Sequence, residues 1–207
     1  MAISLFHLVR TETEQMMTAM LNVLEHAEGL VEAGKIEEDA LMASSLAPDM
    51  FSLSLQVWRG SDSARAAARL AGRDVPPFTE MGELSIEEAR ELVNGTLNIM
   101  RSISEDELEG AEDKTVEITA RGQPTRFKGQ DYLLRFAIPQ MGFHVTTAYC
   151  LVRKAGAELG KRHYLCDVFG ISINWNLSWP GKCRSSTFTC FSERPSVNVH
   201  LIFSEFS

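Results

Sequence analysis

From Thr11 to Gly34 the apolar residues Met17, Met20, Leu24, Ala27 and Val31 recur at spacings of three and four, with Met16, Val23 and Leu30 beside them. Glu14, Thr18, Glu25, Glu28 and Glu32 take the other side, so the pattern predicts one long helix with a wide apolar stripe, stopped at Gly34-Lys35. A second helix is expected from Pro48-Asp49 to about Leu70, because proline suits a first turn and Gly72 closes the pattern. Its alanines at 64, 66, 67 and 68 permit close packing. The stretch from Arg73 to Phe78 contains Pro76-Pro77 and cannot be helical. Ser85-Ile-Glu-Glu88 reads as a capping box, and Ile86, Ala89, Val93, Met100 and Ile103 carry a third helix to about Ser102.

Between Thr115 and Phe127 the period changes. Val116, Ile118 and Phe127 flank Arg121-Gly-Gln-Pro124, which reads as two short strands around a turn. After Gly129 the chain returns to helical spacing as far as Lys154, with Pro139 expected to kink it. The fold class that follows is all-α, a four-helix bundle with a short β ribbon before the last helix. Residues 1–165 are read as this one domain, and 166–207 as an atypical tail. The tail is rich in Ser, Trp, Phe and Cys, poor in charge and without helical period. The abrupt change after Leu165 favours an ending from an alternative or misread gene structure over an added β segment.

Composition narrows the function classes. With 207 residues, 44% of them hydrophobic, the chain has enough material for one buried core. A formal charge of -8 provides no extended basic face for a phosphate backbone, so neither nucleic acid nor an anionic membrane surface is an expected partner. No apolar run reaches the ~18 residues of a spanning helix, and the opening MAISLFHLVRTETE lacks the regions of a secretory signal. A cytoplasmic location is expected. Cys150, Cys166, Cys183 and Cys190 form no CxxC pair, which disfavours a cysteine zinc site.

The candidate chemistry starts from the apolar run FHVTTAY at 143–149. Leu133, Phe136, Ala137, Gln140, His144, Thr147, Ala148 and Leu151 follow one another at three or four, so His144 points into the bundle with the apolar set. A buried imidazole needs partners, and Gln140 and Thr147 are the local ones. Metal binding on a helix is signalled by a second ligand at i+3 or i+4, but Thr147 and Ala148 stand there. His26 on the first helix could meet His144 across the bundle, but its neighbours Asn22, Gly29 and Ala33 put it on the border of the apolar stripe, and a hydrogen-bonded core histidine is favoured over a metal held by the two. On the second helix Gln56, Arg59, Asp62 and Arg65 are spaced by three, which makes an Asp62–Arg65 pair plausible on one face, and a solvated face is favoured over a pocket there. Asp131, at the start of the fourth helix, suits the unpaired N–H groups there. Gly156-Ala-Glu-Leu-Gly160-Lys-Arg fails as a phosphate loop, having one residue too few between its glycines and no Ser or Thr after the lysine.

Four phrases, LAPDMFSL, ARAAARLAG, FKGQDYLL and FHVTTAYCLVRKAGAELGKRHYL, together resemble the domain of unknown function 1993 family of the DinB/YfiT-like superfamily. The likeness spans about residues 1–165. It implies an up-down-up-down four-helix bundle. It also implies a divalent metal such as zinc or nickel, held by one histidine on the second helix and a pair on the last, in transferase or isomerase chemistry. Only His144 matches that set; Ala148 stands at the pair's second position, and Gln56 and Arg59 where the second-helix histidine is expected.

Three functions are therefore open. The first is a pocket near Gln56, Asp62, Gln140, Thr147 and His144 that binds a small molecule, with His144 as acid or base. The second is a divalent-metal enzyme with a degenerate ligand set. The third is a non-catalytic bundle, a homodimer in its simplest form.

Overall fold

The computed structural model describes residues 3–76, 78, 81–120 and 123–166. The tail expected from residue 166 lies, from 167 onward, outside the described residues. The first helix, α1 (Leu5–Glu32), starts six residues before the expected point, because the Ser4 side chain accepts the His7 N–H and provides a cap there. Its core face is Met17, Met20, Val23, Leu24, Ala27 and Leu30.

A short helix, α2 (Glu38–Met42), was not expected; it buries Leu41 and Met42. The second long helix begins at Leu53 rather than at Pro48, since Ser52 supplies the cap through the Leu55 N–H. It runs as α3 (Leu53–Ala64) and α4 (Ala66–Leu70), divided at Arg65, whose N–H is shared between the carbonyls of Ser61 and Asp62. The third, α5 (Ile86–Arg101), has the predicted capping box in both directions between Ser85 and Glu88.

Strands β1 (Thr115–Ala120) and β2 (Gln123–Lys128) pair antiparallel, with Val116 opposite Phe127 and Ile118 opposite Thr125. The last long helix follows directly as α6 (Gly129–Asp131), a π-helical stretch over Tyr132–Ala137, and α7 (Ile138–Lys154). The expected kink at Pro139 takes this form. Proline has no N–H to give and its ring crowds the carbonyl four residues back, and a widened turn absorbs both faults without ending the helix. A final turn of helix, α8 (Lys161–Leu165), returns along α1.

In the bundle α1 packs between α5 and α7, and α3 packs between the same two helices from the other side. One core cluster joins Met20, Val23, Leu24, Val57, Val93, Leu97, Met141, Val145 and Leu151. Each large side chain enclosed in this way contributes roughly 1.5–3 kcal/mol. A second cluster joins Leu70, Met100, Leu108, Tyr132 and Leu133, and the ribbon closes over it through Val116, Ile118 and Phe127. Gly129 is required where they meet, since a Cβ there would lie 1.9 Å from the Ala111 carbonyl oxygen.

Candidate functional site at the α3–α7 contact

Helices α3 and α7 come close because Gly60 has no side chain: a Cβ on it would meet Met20 Cε at 3.3 Å and His144 Cβ at 3.5 Å. This contact places His144 against the upper turns of α3. The imidazole is 5% exposed, as its place in the apolar stripe predicts. Its partner is neither Gln140 nor Thr147. Gln140 is half-buried on the same helix, and the Thr147 hydroxyl donates to the Phe143 carbonyl at 2.8 Å.

His144 Nδ1 instead lies 2.7 Å from Gln56 Oε1, across the helix pair. The amide cannot be turned round, because Gln56 Nε2 donates to the Phe51 carbonyl at 3.0 Å. Gln56 Oε1 is then an acceptor only, and His144 Nδ1 must carry the proton. Nε2 is left with its lone pair and no hydrogen bond among the described residues. Burial, and next the Arg59 charge, push the imidazole down to about 4, so at neutral pH the ring is uncharged.

Around the imidazole ring stand groups the sequence did not single out as a set. Phe51 stacks near the imidazole with centroids 6.4 Å apart, and Phe143 meets it edge-on at 5.4 Å. Both rings are exposed, Phe51 by 43% and Phe143 by 55%. Arg59 lies over the Phe51 ring at 5.6 Å. Alternation of Gln56 and Arg59 with the exposed Phe51 just before the helix was the available signal, and it is too weak to read alone.

Asp62 does not join them. It pairs with Arg69 rather than with Arg65, and it also accepts the Phe78 N–H at 3.3 Å. Arg65 turns to the Phe78 ring at 4.4 Å, so the expected pair one turn apart is replaced by one two turns apart. Asp131 sits in the first turn of α6 but caps no N–H; its nearest charge is Arg135 at 3.9 Å. His26 is likewise elsewhere, packed on His163 with centroids 4.6 Å apart. Two open clefts of about 440 and 300 Å³ adjoin that second pair, and none of Gln56, Asp62, Gln140, His144 or Thr147 lines either.

A divalent metal in this fold needs several ligands around one point. Here one imidazole is present, Gln56 has spent its oxygen on Nδ1, Asp62 is held by Arg69, and Arg59 adds positive charge where a cation would sit. Among the described residues no group of three His, Cys, Asp or Glu converges to hold an ion. The residues do not fit such a centre.

The helix order and the ribbon before the last helix are those of a DinB-like helical bundle. The chain belongs to the family described as Domain of unknown function (DUF1993), whose model matches residues 5–165. A similar solved structure is a DinB family member protein from Shewanella denitrificans, with 30% identity, a TM-score of 0.69, and coverage of 87% of this chain and 96% of that one. No curated protein matches the chain.

Proposed function

We propose that this bundle binds a small molecule at the rim where α3 meets α7, recognising it through the lone pair of neutral His144 Nε2 and without a metal. The observation that carries the reading is the amide clamp: Gln56 is itself fixed by the Phe51 carbonyl and so fixes the tautomer of His144. Clamps of this kind present one nitrogen in one state, which is what recognition of a donor group requires. Phe51 and Phe143 give the approach apolar walls, and Arg59 favours a ligand that is, or becomes, anionic.

Proton transfer is restricted by the same electrostatics. A base pushed down to about 4 accepts a proton poorly at neutral pH, where acids strong enough to protonate it are already ionised, so the lone pair serves as a hydrogen-bond acceptor rather than as a base. Hydrogen-bond acceptance needs no such matching. Phenol and benzamide, which keep a donor hydrogen at neutral pH, are suitable probes, observed by saturation-transfer NMR against the full chain and His144→Phe. The reading expects binding of at least one probe that is lost with the imidazole in a folded variant. Equal binding by both proteins, or by neither, contradicts it.

A further inference from the structure

Although His144 is buried as a residue, its Nε2 reaches solvent. Among the described residues, the enclosed side-chain polar atoms that find no partner are Ser61 Oγ and Arg65 Nε. His144 Nε2 has no hydrogen bond there either and yet is not one of them, so it is not enclosed. The ring that carries it is bordered by Phe51 and Phe143, both exposed.

Arg59 supplies a second contact at the same place. Half-buried Arg69 and Arg73 each meet a carboxylate, Asp62 and Glu107 respectively. Arg59 is half-buried as well, but Asp62 one turn on is taken by Arg69, and no carboxylate among the described residues pairs with Arg59. Its guanidinium lies over the Phe51 ring at 5.6 Å, and that ring also stacks near His144. The Arg59 charge helps to keep the imidazole neutral, so the cation and the lone pair persist together. A cation without its anion and an acceptor without its donor thus border one exposed aromatic ring.

We propose that the ligand at this rim is a small aromatic carboxylate with a second, un-ionised donor, of the hydroxybenzoate class. Its carboxylate lies on Arg59, its hydroxyl donates to His144 Nε2, and its ring packs on Phe51. This inference rests on the reading of the His144 rim as a binding site and names what that site selects. A carboxylate on a guanidinium makes charge-assisted hydrogen bonds, stronger than those between neutral groups, and offset aromatic faces attract beyond the area they bury. Phenol satisfies only the imidazole, and benzoate only the guanidinium.

Phenol, benzoate, 3-hydroxybenzoate and 4-hydroxybenzoate are titrated at neutral pH into the full-length protein, Arg59→Gln and His144→Phe, with affinities read from NMR shift changes. At least one hydroxybenzoate is expected to bind about fivefold or more tighter than either phenol or benzoate. Arg59→Gln removes the advantage over phenol, and His144→Phe removes the advantage over benzoate. Phenol has no anion to lose, so its binding is little affected by Arg59→Gln and reports that this variant is folded. Hydroxybenzoates that bind no tighter than phenol, that keep their advantage in Arg59→Gln, or that weaken there only in step with phenol overturn the inference and leave the His144 site standing. If no ligand shows binding that depends on His144, the site itself is removed and the inference falls with it.

Discussion

His144 is buried, uncharged and held in one tautomer by an amide 88 residues earlier in the chain. That it faces inward was legible, because a spacing of three and four is a local property of one helix. That Gln56 holds it was not, since nothing local distinguishes a partner on another helix from one a turn away. The Asp62 pairing failed for a related reason: Arg65 and Arg69 lie on neighbouring parts of one face, and packing of the Phe78 ring on Arg65 decided between them. A prediction belongs at this scale. Folded His144 takes up a proton only near pH 4, whereas the unfolded side chain does so near 6.5. Over that window the unfolded state binds more protons, so stability is complete above it and falls by about 3 kcal/mol as pH drops through it. Urea melts at a series of pH values will show this slope, and His144→Phe will flatten it except for the smaller contribution of the same sign from His163. Equal slopes in both proteins would contradict the burial of His144.

Among the elements, the capping box of α5 and the antiparallel ribbon formed where the pattern placed them, because both are specified by residues within a few positions of each other. Helix starts were less legible. Pro48 and Ser52 are both start signals, and only the Ser52 hydroxyl finds an N–H to cap. Five-residue α2 is too short to show a period at all. The junction of ribbon and last helix depends on Gly129, whose absent Cβ admits the Ala111 carbonyl. Gly129→Ala is expected to cost about 3 kcal/mol, the upper end for an overpacked contact, and to lower the midpoint of thermal unfolding. Gly95→Ala, on α5 with open space around it, is the control and should change little or raise the midpoint. Equal effects would remove the packing argument.

For the whole molecule, the likeness expected over about residues 1–165 agrees with the family model's 5–165, although the phrases that carried it lie between Leu46 and Leu165, and the neighbouring crystal structure covers 87% of the chain. No described helix is long and apolar enough to cross a membrane. The bundle was thus legible from periodicity and phrase together, while the chemistry was not, because a degenerate ligand set leaves only His144 from which to read it. The two clefts at the α1–α8 end were invisible to sequence reasoning, since His26 and His163 meet only through the return of α8 along α1. The account's central claim is that His144 is a neutral, non-metal acceptor. Long-range nitrogen–proton NMR of the full chain at neutral pH, with and without added zinc, tests it most directly. The account predicts a protonated Nδ1 and a bare Nε2 for His144, unchanged by zinc and lost in Gln56→Leu. A proton on Nε2, a charged ring, or a stoichiometric zinc-induced shift of Nε2 would contradict it.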